Sequence, residues 1–237
     1  MVDALFADPR LAPLYDALDA DRRDLSAYVA LAAEFGAATV LDIGCGTGTL
    51  ACLLADRGLS VTALDPAAAS LAVARSKPGA ERVRWLHGYP ADLPPLAVDL
   101  ATMTGNVAQV FLTDEEWTAT LRSVREALRP GGRLIFETRD PAAQAWLDWT
   151  PEKSHRRAAG VRQWHEITGV GDGLVSFEST IVFEAEGTRV TSTSTLRFRT
   201  RAEIADSLAR AGYRVEEVRE APDRPGLEMV FIATTPG

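Results

Sequence analysis

Between Val40 and Gly48 the chain reads Val40-Leu41-Asp42-Ile43-Gly44-Cys45-Gly46-Thr47-Gly48, a short apolar run ending in alternate glycines. Glycine lets backbone approach a ligand closely, and a strand-to-helix turn aims free amides at it. By itself such a turn suits any nucleotide. Two residues narrow the choice. A dinucleotide-binding turn follows G-x-G-x-x-G/A, and Thr49 stands where the third small residue belongs. Asp42 stands at the mouth of the turn, where a carboxylate repels a pyrophosphate and attracts a cation. A second acid, Asp65, follows Gly48 by 17 residues and closes the next apolar run. Open α/β sheets bind ligands outside the carboxyl ends of their strands. An acid there can accept from the two cis hydroxyls of a ribose. The expected ligand thus places a ribose beside Asp65 and a positive aminoacyl end near Asp42. S-adenosylmethionine has that layout.

These residues need a strand-turn-helix frame, and the flanking pattern supplies one. Strands are predicted over Thr39–Ile43, Leu59–Leu64, Arg82–His87, Val98–Thr102 and Arg133–Thr138. Helices fall between them, from Thr49 to Arg57 with a stop at Gly58, and from Pro66 to Arg75. Thr113-Asp114-Glu115-Glu116 is a capping box, and Trp117, Leu121, Val124 and Leu128 then form one apolar helix face. Pro130-Gly131-Gly132 ends that helix. Regular alternation of this kind predicts a parallel sheet with helices on both faces.

Two stretches depart from the rhythm. Residues 11–36 read as one or two amphipathic helices, with Leu11, Leu14, Tyr15 and Leu18 at helical spacing. Residues 161–199 read as half-buried antiparallel strands. There Val175, Phe177, Ile181 and Phe183 alternate with polar residues, and Val190, Leu196 and Phe198 alternate with threonines and arginines. A second capping box at Thr200–Glu203 opens a helix that stops at Gly212, and strands follow over Tyr213–Val218 and Leu227–Ala233. The expected fold is a single α/β domain over 1–237, doubly wound around a mostly parallel seven-stranded sheet. Residues 1–37 form a helical cover, 38–140 and 200–235 the core, and about 150–199 an inserted antiparallel lid.

Composition narrows the function classes. The formal charge of -8 argues against sequence-independent nucleic-acid binding, which needs a basic surface. Cys45 and Cys52 are too few for a disulfide framework or a four-ligand zinc site, and read as buried reduced thiols. No metal is expected. The start of the chain lacks the charged and apolar regions of a signal peptide, and nowhere do about 18 apolar residues run without a charge. A cytoplasmic protein, monomeric or a homodimer, with no membrane or nucleic-acid partner, is the expectation.

The segment Val40–Gly48, with Asp65, Leu128-Arg129-Pro130-Gly131-Gly132 and the strand after it, resembles the class I S-adenosylmethionine-dependent methyltransferases. The resemblance covers roughly residues 38–140 and 200–235. It implies that Asp42, Gly44 and Gly46 line the methionine moiety, Asp65 the ribose and Pro66 the adenine. It implies too that Met103 and Thr104 offer backbone to the amino acid end, and that Tyr15 closes over the cofactor. Relatives carry a Gly-Asp pair after the third strand, its acid accepting from adenine. Here the segment is His87-Gly88-Tyr89-Pro90-Ala91-Asp92. Pro90 has no amide to donate, so either Tyr89 stacks on adenine or Asp92 reaches it by a shifted loop.

Methyl transfer from a sulfonium is a direct displacement, which gains most from alignment and exclusion of water. A base matters only where the nucleophile sheds a proton. The histidines are His87, His155 and His165, none of them assigned that role by the sequence. Asn106, Glu137 and Arg139, after the fourth and fifth strands, are the expected contacts to a small-molecule acceptor, through an N or O atom. Trp146 and Trp149 either line an apolar pocket or pack the insertion onto the main sheet. The rival functions are a nucleotide-dependent oxidoreductase, disfavoured by Thr49 and Asp42, and a cofactor-binding protein without transferase activity.

Overall fold

The computed structural model describes residues 2–19, 22 and 24–237. The chain opens with two single-turn helices, α1 (Ala4–Ala7) and α2 (Tyr15–Leu18), and a longer α3 (Asp24–Glu34). The helical stretch predicted over 11–36 is therefore interrupted. Pro13 sits in a 3-10 turn and Asp19 leaves the helical region at φ -119°, ψ 55°. Residues 20, 21 and 23 of that stretch lie outside the described residues.

Strands and helices then alternate as β1 (Thr39–Ile43), α4 (Thr49–Ala55), β2 (Ser60–Asp65), α5 (Ala68–Ser76), β3 (Val83–His87), β4 (Val98–Met103), α6 (Asp114–Ala127) and β5 (Leu128–Arg139). Next come α7 (Pro151–Ser154), β6 (Arg156–Ala158), β7 (Val161–Gly171), β8 (Leu174–Phe183) and β9 (Arg189–Arg197). The chain closes with α8 (Arg201–Arg210), β10 (Arg214–Glu220) and β11 (Glu228–Thr234). Among the described residues the main sheet has seven strands in the order β10-β11-β5-β4-β1-β2-β3. The five strands from β5 to β3 are parallel, while β11 runs antiparallel to both β5 and β10.

Successive strand residues point to opposite faces, so each strand feeds two apolar layers. Leu41, Ile43, Met103, Phe136 and Phe231 pack against Trp117, Leu121 and Val124 of α6. Val40, Leu100, Ile135 and Ile232 pack against Leu25, Tyr28 and Leu31 of α3 and Leu50 and Leu54 of α4. Both predicted capping boxes form: Thr113 Oγ1 accepts from the Glu116 amide at 3.1 Å, and Thr200 Oγ1 from the Glu203 amide at 3.2 Å. Each such cap contributes about 1 kcal/mol. Strand β5 begins earlier than its apolar run, because Pro130-Gly131-Gly132 stays in the sheet as an irregularity in the β4–β5 pairing, where Gly132 lies close to the Val98 carbonyl.

The second sheet is four-stranded and antiparallel throughout, in the order β6-β7-β8-β9. Its inner residues Val161 and Ile181 form a small apolar cluster with Leu11 and Leu18 from the N-terminal segment. Trp146 and Trp149 pack edge-on against Phe198 and Phe177 at 4.7 and 4.9 Å. They fasten the second sheet to the core.

Candidate functional site

Asp42 lies on β1 with both neighbouring strands in place, so its side chain is enclosed rather than set at an open mouth. Oδ1 accepts from Thr102 Oγ1 at 2.9 Å, while Oδ2 is buried without a partner. Burial pushes this carboxyl up to about 7 despite the Thr102 bond, and the Asp65 charge adds to the rise. The expectation of a fixed anion is corrected: near neutral pH the group is poised between its two forms. The turn after it takes positive φ at Gly44, Gly46 and Gly48. A Cβ on Gly44 would collide with Val107, whereas in front of Gly46 the space is open.

Asp65 ends in the protein's own backbone. Oδ1 accepts from the Ala67 amide at 2.7 Å and Oδ2 from the Gly46 amide at 2.8 Å. Each carboxylate oxygen has a second acceptor site left for a hydroxyl. The buried, unpartnered Asp42 Oδ2, the open space at Gly46 and these spare lone pairs together fit the aminoacyl end and ribose of S-adenosylmethionine.

The segment expected to meet adenine adjoins this acid. The Gly88 amide donates to the Asp65 carbonyl at 3.1 Å, and His87 Nε2 lies 3.1 Å from the carbonyl of Pro66. Tyr89 is 52% exposed while Pro90 is buried. Asp92 Oδ2 accepts from the Tyr89 amide at 2.8 Å, so this acid caps its own turn. Met103 closes β4, and Thr104 leads into Gly105-Asn106, both with positive φ.

That corner borders a cavity of about 190 Å³ lined by Tyr15, Asn106, Arg139, Gln163 and His165, and also by the charged residues Asp19, Arg22, Asp24, Arg156 and Arg224. Of the acceptor contacts expected from sequence, Asn106 and Arg139 reach the cavity. Glu137 does not line it: its carboxylate accepts from Tyr28 Oη at 2.5 Å and from the Gly105 amide at 2.6 Å, which makes it the buried support of the corner. Burial and the nearby Glu228 charge push Glu137 above the usual carboxylate range. Asn106 donates through Nδ2 to Glu228 Oε1 at 3.0 Å, and Arg224 reaches the same oxygen at 2.8 Å. Arg139 donates to Gln109 Oε1 at 2.9 Å and lies over Trp149.

His165 comes from β7, its Nδ1 2.8 Å from Ser179 Oγ. Burial, then Arg156 and Arg139, hold it down to about 4, so the imidazole is neutral at physiological pH. His155 instead stacks on Trp164 at the surface. Tyr28, Gln109 and Glu228 carried no signal in the sequence, since each stands alone in a helical turn or strand and meets a partner across the fold, and Arg224 lies in the loop before β11. A depression of about 440 Å³ lined by Gly131, Arg133, Arg214 and the C-terminal residues lies at the opposite end of β5, away from these groups.

Residues 40–132 match the family model described as a methyltransferase domain. A cypemycin N-terminal methyltransferase from Streptomyces sp. is 34% identical over 119 residues, 50% of this chain and 49% of the relative. A ubiquinone biosynthesis O-methyltransferase from Idiomarina loihiensis is 31% identical over 133 residues, 49% of this chain and 53% of the relative. The chain thus spans about half the length of the curated relatives it matches. A solved S-adenosylmethionine-dependent methyltransferase from Clostridium acetobutylicum superposes with TM-score 0.79 at 17% identity, covering 96% of this chain and 98% of that one. Residues 40–132 thus match a methyltransferase domain, and the seven-stranded sheet that carries them has the fold of the solved methyltransferase.

Proposed function

We propose that the protein transfers a methyl group from S-adenosylmethionine to an N or O atom of a small-molecule acceptor held in the cavity beside Asn106 and Arg139. One observation carries the reading. The loop from Gly105 to Val107 borders the cavity through Gly105 and Asn106 and presses against Gly44 through Val107, so the glycine turn and the cavity share a wall. Two ligands seated on either side of it meet end to end, which is the arrangement a direct displacement needs.

When bound, S-adenosylmethionine supplies an electrophilic methyl on a sulfonium. The chain's own residues do the rest. Asp65 and the Gly46 turn hold the ribose side, and Asp42 accepts from the aminoacyl end. Asn106 and Arg139 orient the acceptor, while the second sheet closes the cavity as a lid and excludes water through Gln163 and His165. His165, uncharged, accepts a hydrogen bond from the acceptor in preference to acting as a strong base. No helix among the described residues is long and apolar enough to cross a membrane. The two free cysteines, Cys45 and Cys52, suit a reducing cytoplasm.

Calorimetric titration of the wild type with S-adenosylhomocysteine and with nicotinamide dinucleotides tests the cofactor. Transfer of labelled methyl to matched amine, hydroxyl and carboxyl acceptors tests the activity. Binding of S-adenosylhomocysteine alone, with transfer to one acceptor class, is expected. Tight dinucleotide binding without S-adenosylhomocysteine overturns the reading. Cofactor binding with no transfer to any acceptor leaves a binding protein in its place.

A further inference from the structure

Asp16, the second residue of α2, lies outside the residues so far given a role. Its Oδ1 accepts from Thr47 Oγ1 at 2.6 Å and from Thr49 Oγ1 at 3.4 Å. Its Oδ2 lies 2.6 Å from Lys77 Nζ, which also donates to Thr49 Oγ1 at 2.7 Å. One carboxylate therefore joins three parts of the chain distant in sequence: the N-terminal cover, the glycine turn and the end of α5. Thr47 follows Gly46, whose amide is held by Asp65. Two acids thus hold two consecutive residues of the turn, and one of them belongs to the cover.

The cover is also tied to the second sheet. Asp3 Oδ2 accepts from Ser194 Oγ at 2.5 Å, the Leu5 amide donates to Ser192 Oγ at 3.0 Å, and the Leu18 carbonyl accepts from Arg156 at 3.2 Å. Tyr15, Leu18 and Asp19, on either side of Asp16, line the cavity. A shift of α2 relative to the turn would move a wall of that cavity.

We propose that Asp16 is a positioning residue that couples occupancy of the glycine turn to closure of the cavity wall. A ligand on the turn fixes Thr47, Thr47 fixes Asp16, and α2 then presents Tyr15, Leu18 and Asp19 to the acceptor. The inference rests on the methyltransferase reading for the identity of the ligand. Coupling of this kind is reciprocal: if the ligand strengthens the clasp, the clasp strengthens ligand binding by the same factor. Both Asp16 oxygens are engaged by Thr47, Thr49 and Lys77, so the effect on the ligand passes through these partners. A clasp that merely fastens the cover has the same strength with and without ligand.

S-adenosylhomocysteine is the probe, with wild type, Asp16→Ala and Lys77→Met compared by calorimetry, stopped-flow release and hydrogen exchange. Asp16→Ala is expected to weaken binding five- to thirtyfold, the factor that one or two kcal/mol makes, mostly through faster release. Lys77→Met loses less, because Thr47 keeps its acceptor. Ligand is expected to slow exchange at residues 11–19 in the wild type but not in Asp16→Ala, with the ligand-free melting temperatures of the two within a few degrees. Unchanged affinity and release in Asp16→Ala overturn the proposal. So does exchange at residues 11–19 that ignores ligand in the wild type, or a melting loss equal with and without ligand. Wild-type protein that binds no S-adenosylhomocysteine rejects the methyltransferase reading itself, and the coupling with it.

Discussion

The Gly46 amide donates to Asp65 Oδ2 at 2.8 Å, so the acid at the end of β2 holds the glycine turn that leaves β1. A residue that looks from sequence like a ligand contact alone is also a strut of the site that receives the ligand.

Substitution at Asp65 therefore affects both fold and ligand. Hydrogen bonds to a charged acceptor contribute about 1.5–3 kcal/mol each. Asp65→Ala removes two of these at the Gly46 and Ala67 amides. It is expected to weaken S-adenosylhomocysteine at least tenfold and to lower the melting temperature as well. Asp65→Asn keeps one acceptor oxygen but turns its NH2 toward the second backbone amide, so it should retain more of the melting temperature than Asp65→Ala while still losing affinity. Calorimetry and thermal melts on the two variants check this.

Asp42 produces a pH dependence of definite sign. Its folded value of about 7 lies above the ordinary 3.8 of the unfolded chain. Between those values the folded state binds a proton that the unfolded state does not. Its contribution to stability is complete below the lower value and is lost as pH rises through the upper one. Asp42→Asn cannot titrate, so its stability relative to wild type should increase from pH 5 to pH 8 in urea unfolding. Ligand donors near Oδ2 favour the ionised form, so S-adenosylhomocysteine affinity should rise through pH 7 in the wild type and stay flat in the variant.

Tyr89 offers an exposed ring at the end of β3. If it stacks on adenine, Tyr89→Ala should weaken S-adenosylhomocysteine by about 1–3 kcal/mol, the range for base–aromatic stacking. Tyr89→Phe should be nearly silent, and neither should move the ligand-free melting temperature. Equal losses from both variants would assign the contact to the hydroxyl instead.

His165 behaves in the opposite sense to Asp42. Burial, with Arg156 and Arg139, depresses it to about 4 from an ordinary 6.5. Between these values the unfolded state binds the extra proton. The contribution of His165 is present above the ordinary value and is lost as pH falls through the folded one. His165→Gln should unfold at a lower urea concentration than wild type at pH 7, and the gap should narrow by pH 4.5. A gap that widens in acid would show that the imidazole is charged in the folded protein.

Local sequence determined the frame of this protein because each signal in it acts within a few residues. Two capping boxes start α6 and α8 where Thr113 and Thr200 stand, since cap and amide are three positions apart. The alternation of strands and helices sets the main sheet, and the threonine-rich alternation sets the antiparallel one. Gly44, Gly46 and Asp65 could be located for the same reason: a strand end and the turn after it carry both residue type and place.

Only the tertiary structure decided what those residues touch. Tyr28 meets Glu137 across 109 positions, Asn106 meets Glu228 across 122, and Asp16 meets Thr47 across 31. No local periodicity ranks such pairs, because they exist only once sheet order and helix packing bring the elements together. Burial is decided at the same level: Asp42 becomes an enclosed acid near 7, and Glu137 becomes a support instead of a contact. Charge state and accessibility are properties of the packed environment, and a linear string of residues does not contain that environment.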